Sequence, residues 1–186
     1  MKSINYRILF LIFAGVLSCD GAEPRKPIKV RTGSFMKESV ERNKVLLAQE
    51  EALIKQIMAQ DSTKTYHASA SGSWFYYNTQ NEKEDYFPKP NDLVTFTYNI
   101  VSFDNDTIYS IEDLGVQKYK VDKQELFPGL RNSIKLLSEN ETATFFFPSS
   151  LAYGYHGDDN KIGHNIPLKS TISILKIEQQ KDSIQE

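Results

Sequence analysis

Residues 124–172 read QELFPGLRNSIKLLSENETATFFFPSSLAYGYHGDDNKIGHNIPLKSTI, and the rest of the chain is organised around them. A tight apolar turn, Leu126-Phe127-Pro128-Gly129-Leu130, opens a helix. Pro128 suits its first turn, because the missing N–H has no partner there in any case. Leu130, Ile134 and Leu137 fall at i, i+4 and i+7 on one helical face. The aromatic run Thr142 to Phe147 reads as a strand, and a loop with Pro167 leads to a last strand, Thr171 to Ile177. Leu126, Phe127, Leu130, Phe145, Phe146, Phe147 and Tyr153 supply more apolar mass than a turn and a loop need. Part of it suits a concave apolar pocket with a few polar handles, the usual form of a small-ligand or peptide site.

Three motifs in this stretch resemble the FKBP-type peptidyl-prolyl isomerases. Leu126-Phe127-Pro128-Gly129-Leu130 resembles the family's V-I-P-G-W turn. Pro148-Ser149-Ser150-Leu151-Ala152-Tyr153-Gly154 resembles its P-x-E-L-A-Y-G, and Ile166-Pro167-Leu168-Lys169-Ser170-Thr171-Ile172 its I-P-P-N-A-T-L. Each motif alone is weak, but together their order and spacing are specific. The resemblance covers roughly residues 72–178.

Outward from this stretch, composition bounds the answer. The chain has 186 residues, 40% of them apolar and 12% aromatic, which suits one compact domain with appendages. The 22 basic and 24 acidic residues nearly cancel, so there is no electrostatic footprint for nucleic acid. Ten Tyr and eleven Phe against one Trp suit a β-rich fold.

Residues 1–18 read as a lipoprotein signal peptide, with Lys2 and Arg7 ahead of an apolar run from Ile8 to Leu17. That run is shorter than the ~20 residues a membrane span takes. Val16-Leu17-Ser18-Cys19 resembles a bacterial lipobox, so Cys19 is expected to be lipidated. The alternative is an ordinary signal peptide that contains a cysteine. Cys19 is the only cysteine, so the chain has no internal disulfide and relies on packing. Residues 19–33 read as a tether.

Residues 34–60 read as an amphipathic helix. Ser34 can cap it, and Glu38 lies in its first turn. Val40, Leu47 and Ile54 recur every seventh residue, widened by Leu46, Leu53, Ile57 and Met58. That stripe must be buried, either on the chain's own domain or on a second copy in a homodimer. Residues 61–71 form a connector, residues 72–178 the main domain, and residues 179–186 a polar tail. Within the domain, Trp74 to Thr79 and Leu93 to Phe103 read as strands, and Val94, Phe96, Tyr98 and Ile100 alternate onto one face. Asp104-Asn105-Asp106 makes a turn into Thr107 to Ser110, and Val116 to Val121 is a further strand. A long helix, strands, one short helix and more strands fit an α+β domain with an antiparallel sheet. The resemblance implies a curved antiparallel sheet wrapped around the short helix.

The resemblance also implies the chemistry. Rotation about an X–Pro bond faces a barrier of ~18–20 kcal/mol set by amide resonance. The planar amide is well hydrated and the twisted one less so, so a pocket that strips water favours the twist. No cofactor, metal, nucleophile or general base is called for. Carried over residue by residue, Tyr98, Phe127 and Tyr153 are the catalytic residues. Tyr98 is a wall, the Phe127 backbone N–H is a donor, and the Tyr153 hydroxyl meets a substrate carbonyl. Leu126, Leu130, Ile166 and Ile174 join these three in lining the substrate site. The chain departs from the family pattern at four positions. Leu130 stands for the floor Trp, Ile174 and Gln117 for aromatics, and Tyr109 for an Asp. These imply a shallower, more aliphatic pocket, weakened activity and poor binding of the family's macrolide inhibitors. His156 and His164 flank Asp158-Asp159 without the spacing of a standard metal site, and read as ordinary loop histidines.

Taken together, the sequence points to a prolyl isomerase acting on proline-containing proteins of the cell envelope. It would be anchored on the periplasmic side of a bacterial membrane through Cys19. The tether and long helix resemble the FKBP-type lipoproteins linked to gliding motility. A proline-segment binding module without turnover, or a dimeric chaperone, is the alternative.

Overall fold

Aromatic residues at consecutive positions on a strand need partners on two faces, and the fold supplies both. The computed structural model describes residues 32–180, and their side chains from residue 36. The signal peptide, Cys19, most of the tether and the end of the tail therefore lie outside the described residues. A helix, α1 (Thr32–Gln60), comes first, followed by strands β1 (His67–Ala68), β2 (Trp74–Thr79), β3 (Leu93–Tyr98), β4 (Ile100–Val101) and β5 (Thr107–Tyr109). A short helix α2 (Ile111–Leu114), β6 (Gln117–Lys120), helix α3 (Pro128–Ile134), β7 (Thr142–Phe147) and β8 (Leu168–Glu178) complete the order. The strands form one sheet in the order β1-β2-β7-β8-β3-β6, with β4 joined to β8 and β5 to β4. Every pairing is antiparallel. This is the α+β class expected.

β2 and β7 run where the sequence reading put them. Phe145 and Phe147 point to one face, where Phe75 stacks on Phe145 at 4.9 Å between ring centroids and Phe145 on Phe147 at 5.9 Å. α3 closes that face with Leu130 and Ile134, both fully buried. Phe146 points the other way and meets Tyr66 and Phe103 at 6.1 and 6.0 Å. Towards the other end of the same strand, Thr142 and Thr144 turn that face polar. Their hydroxyls bond Ser173 at 2.6 Å and Thr171 at 2.9 Å across the β7–β8 pair.

α1 begins two residues before the expected Ser34 cap, so Ser34 lies inside the helix and the tether ends sooner. From residue 39 on, α1 docks on the domain. Ile54 is fully buried, and Glu50 Oε2 accepts the Ser149 N–H at 2.9 Å. Val40 and Leu53 stay exposed, so the expected stripe only partly coincides with the buried face. Among the described residues no helix is long and apolar enough to cross a membrane.

Four expectations need correction. The strand from Leu93 to Phe103 breaks at Asn99, whose side-chain Oδ1 accepts the Thr171 N–H at 2.8 Å. Phe103 lies beyond β4 in a turn. β8 starts at Leu168, so Leu168, Lys169 and Ser170 belong to the strand and not to the loop before it. α3 ends at Ile134, and Leu137 is buried from the turn that follows. The connector contains β1, whose two residues pair with Trp74 and Phe75 and leave no periodic signal. The alternation of Val94, Phe96, Tyr98 and Ile100 holds, all four being buried. Among the described residues, the six non-glycine residues with positive φ are all Asn or Asp, the types that tolerate this geometry at turns.

Buried carboxylates tie loops to the sheet. Asp92 accepts from the Tyr86 hydroxyl at 2.7 Å and the Lys89 and Gln180 N–H groups at 2.8 and 2.9 Å. Glu141 accepts from Asn81 and Ser138 N–H groups at 3.1 and 2.9 Å.

Gly129 fixes how closely α3 approaches β7. A Cβ there would lie 2.6 Å from Phe147 Cδ1 and 2.8 Å from the Leu151 carbonyl oxygen. Gly129→Ala is therefore expected to destabilise the domain by about 1–3 kcal/mol, the usual cost of overpacking. Phe147→Leu in the same chain should recover part of that loss. Urea denaturation of the single and double variants measures both, and an unchanged midpoint in Gly129→Ala would show that the contact can relax.

Candidate active site

The elements that build the site meet at the N-terminus of α3. Phe127 is the residue that leads into the helix, extended at φ −59° and ψ 147°, with Pro128 starting the first turn. The next chain segment to arrive follows β7. A single 3₁₀ turn, Ser149–Leu151, carries the chain to Tyr153. The rings of Phe127 and Tyr153 lie 5.2 Å apart, and Phe127 meets Phe147 edge-on at 5.6 Å. Tyr98 arrives at the end of β3, opposite Ile172 of β8, and stacks on Phe96 at 5.6 Å. Phe96 in turn pairs with Ile174.

The seven expected lining residues do not all reach the surface. Phe127, Leu126 and Tyr153 are half-buried against the core, and Tyr98 is buried with 9% exposure. Leu130 at 0% and Ile174 at 1% lie beneath that wall as part of the core and do not line open space. Ile166 stands apart. It is 37% exposed and lines a groove with Leu53, Ile57, Phe103 and Pro167, beside the end of α1. Its expected role of closing one side of the Tyr98–Phe127–Tyr153 wall does not match that placement. Gln117, in an aromatic position of the family pattern, turns its side-chain amide to the Leu114 carbonyl at 2.5 Å.

Two donors at this wall are uncommitted. Among the described residues the Phe127 N–H meets no backbone acceptor. Burial pushes the Tyr153 hydroxyl well above the ordinary tyrosine value, and the neighbouring Tyr98, Asp158 and Tyr109 push the same way. Burial also raises Tyr98. Both phenols therefore keep their protons across the physiological range and serve as donors.

Position 109 rearranges the polar edge. The Tyr109 hydroxyl donates to Asp158 Oδ2 at 2.5 Å. Asn160 Nδ2 donates to the same hydroxyl at 3.0 Å, and Lys161 Nζ lies 4.7 Å over the Tyr109 ring. Asp158 Oδ1 accepts the Ile162 N–H at 2.7 Å and the Asn160 N–H at 3.0 Å. The carboxylate near Tyr153 thus comes from the loop, not from the strand. Gly157 shapes this loop at φ +74°, where a Cβ would fall 2.3 Å from the Ile162 carbonyl oxygen. His164 Nδ1 contacts the Tyr155 carbonyl oxygen, and the rings of His156 and His164 both pack against Tyr155, at 5.7 and 5.4 Å.

Comparison with known proteins accords with this geometry. The family model of FKBP-type peptidyl-prolyl cis-trans isomerases matches residues 84–175. A curated relative, described as a probable FKBP-type peptidyl-prolyl cis-trans isomerase FkpA from Neisseria meningitidis serogroup B, is 32% identical over 127 residues. That alignment covers 68% of this chain and 44% of the relative's length. A 1.6 Å crystal structure of a peptidyl-prolyl cis-trans isomerase from Pseudomonas syringae pv. tomato superposes with a TM-score of 0.54 at 21% identity. It covers 73% of this chain and 96% of its own, and shares the fold. The chain belongs to the FKBP-type peptidyl-prolyl cis-trans isomerase family.

Sequence reasoning noted Tyr109 as a departure but missed its partner. Asp158 was read only beside two histidines, and nothing local connects it to a residue 49 positions earlier. The α2 helix was missed although its signal was present. Ser110 and Asp113 form a capping box, with bonds of 3.1 and 3.0 Å.

The Tyr109–Asp158 cluster has a definite pH signature. Burial alone would raise the Asp158 carboxyl, but the bonds from Tyr109, Ile162 and Asn160 outweigh it and hold it below the usual carboxylate range. The unfolded chain therefore takes up the proton first as pH falls. The stability from this cluster is complete above about pH 4 and is lost as pH drops through the folded value. Asp158→Asn is expected to cost about 1 kcal/mol at pH 7, a single partly exposed charged hydrogen bond. It should also flatten the acid limb of stability against pH. Denaturant melts of both proteins between pH 3 and 7 check this, and parallel curves would deny the cluster its role.

Proposed function

We propose that the chain is a working peptidyl-prolyl cis-trans isomerase that acts on X–Pro bonds of exported or envelope proteins. The observation that carries this reading is the pairing of an apolar wall with two uncommitted donors, the Phe127 N–H and the Tyr153 hydroxyl. Tyr98, Leu126 and Phe127 receive the proline ring and strip water from the imide. The Phe127 N–H and the Tyr153 hydroxyl hold substrate carbonyls while the bond twists. Leu130 and Ile174 act from beneath, by fixing Tyr98 and Phe127 rather than by touching substrate. Catalysis here is positioning and desolvation, with no proton transfer.

The test is a protease-coupled isomerisation assay on a panel of X–Pro peptides. Wild type should accelerate the slow phase. Tyr153→Phe should lower kcat/KM about tenfold or less, the worth of one neutral hydrogen bond. Phe127→Ala should lower it further, because an apolar wall is lost with the side chain. A folded protein with no turnover on any peptide would leave a proline-segment binding module, a reading that Tyr109 and Leu130 already favour as departures from the family pattern.

We further infer that the chain works on the periplasmic side of a bacterial membrane, anchored through a lipid on Cys19, in the manner of the gliding-motility FKBP lipoproteins it resembles. The lipobox-like Val16-Leu17-Ser18-Cys19 supports the anchor. Val40 and Val45 of α1 are exposed and open to contact with a second copy. Cys19→Ser should release the protein from the membrane fraction, and continued sedimentation with membranes would rule the anchor out. Analytical ultracentrifugation of that released chain gives the mass that decides between monomer and homodimer.

A further inference from the structure

The loop that follows Tyr153 folds on itself and reaches the sheet edge mainly through one hydroxyl. Its neck is closed by the Asn165 N–H, which donates to the Gly154 carbonyl at 2.7 Å. The Gly157 N–H donates back to the Tyr153 carbonyl at 3.3 Å, so Tyr153 belongs to the loop's own fold. The body of the loop is wound on Asp158. The Asp158 N–H donates to the Ile162 carbonyl at 3.1 Å, and Asp158 Oδ1 accepts the Ile162 and Asn160 N–H groups. Ile162 is buried in the main core. Among the described residues three hydrogen bonds cross from this loop to β5. Two of them end on the Tyr109 hydroxyl, which donates to Asp158 Oδ2 and accepts from Asn160 Nδ2. The third runs from Lys161 Nζ to the Ile108 carbonyl at 3.2 Å.

We propose that Tyr109 is a positioning residue for the isomerase reaction: its hydroxyl latches the loop to β5 and so sets where the Tyr153 hydroxyl meets substrate. β5 pairs with β4, β4 with β8, and β8 with β3, so the latch refers the loop to the sheet that carries Tyr98. The other support of Tyr153 is ring packing on Phe127 at 5.2 Å. Packing of apolar surface has no direction and leaves a ring free to slide. Hydrogen bonds have direction, and the latch supplies them. A misplacement of about 1 Å is enough to cost a site much of its rate.

The proposal carries its own upper limit. Tyr109 acts through a single hydroxyl, so its loss cannot exceed the loss in Tyr153→Phe, about tenfold. Tyr109→Phe is a clean probe, because the ring under Lys161 Nζ at 4.7 Å is kept and only the hydroxyl goes. The positioning role rests on the isomerase reading, whereas the latch itself does not.

The experiment is a four-membered cycle on the full chain: wild type, Tyr109→Phe, Tyr153→Phe and the double variant, each assayed for isomerisation of X–Pro peptides. Tyr109→Phe should lower kcat/KM about three- to tenfold in the wild-type background and leave Tyr153→Phe unchanged. A residue that only steadies the fold would lower both backgrounds by the same factor. Amide hydrogen exchange reads the latch without turnover. Tyr109→Phe should speed exchange at Gly157 and Ile162 about tenfold and leave Phe145 in central β7 unchanged. Equal factors in the two backgrounds, no loss from Tyr109→Phe, or unchanged exchange in the loop would each overturn the proposal. Absence of turnover in folded wild type overturns the isomerase reading and the positioning role with it, whereas faster loop exchange in Tyr109→Phe still upholds the latch.

Discussion

The structure depends on burying one strand on both faces. β7 is Thr-Ala-Thr-Phe-Phe-Phe, and all of its residues after Thr142 are buried. A strand in the middle of an antiparallel sheet with one wet face needs alternation; this one needs two covers. One cover is α3, which reaches Phe147 only because position 129 has no side chain. The other is the cluster of Tyr66, Tyr76 and Phe103 around Phe146. Fully burying a Phe side chain contributes ~1.5–3 kcal/mol, so three in succession anchor a marginally stable domain that has no disulfide. The same packing builds the candidate site. Phe127 leans on Phe147, and Tyr153 follows from the turn that ends β7, so core and wall share one set of rings.

What the sequence made legible follows from this. The strands Trp74–Thr79 and Thr142–Phe147 were readable to the residue because aromatic runs end at turn signals on both sides. The helix opened by Pro128 was readable because Pro and Gly mark its first turn. The N-terminal helix was readable from its apolar spacing, but its buried face was not. That face is centred on Glu50 and Ile54, and a glutamate does not register as an inward residue in an apolar stripe. The break at Asn99 was hidden because it is made by an amide reaching Thr171, 72 positions later. Tyr109 with Asp158 and Glu50 with Ser149 are likewise separated by 49 and 99 positions. Pairing across such distances is decided by the sheet, not by any window of sequence. Ile166 fell on an unexpected side for a related reason: the motif fixed its place in the loop, while α1, outside the motif, supplied its neighbours.

The exchange of an aspartate for Tyr109 moves charge without removing it. Asp158 carries the carboxylate on the loop and spends its two oxygens on donors from Tyr109, Asn160 and Ile162. What faces Tyr153 is thus a satisfied anion held by neutral and backbone donors. The wall presents phenols and aliphatic carbon, with no free base or acid.

That composition limits how catalysis can work on the isomerase reading. Two neutral hydrogen bonds, from the Phe127 N–H and the Tyr153 hydroxyl, contribute ~0.5–1.5 kcal/mol each, so they supply ~1–3 kcal/mol if both strengthen at the twisted imide. At ~1.36 kcal/mol for each factor of ten, this accounts for at most about a hundredfold. Any acceleration beyond that must come from desolvating the planar amide, because nothing else at the wall distinguishes planar from twisted. The apolar area that Tyr98, Leu126 and Phe127 can place over a proline ring, held in position by the buried Leu130 and Ile174 beneath, is then the quantity that sets the rate.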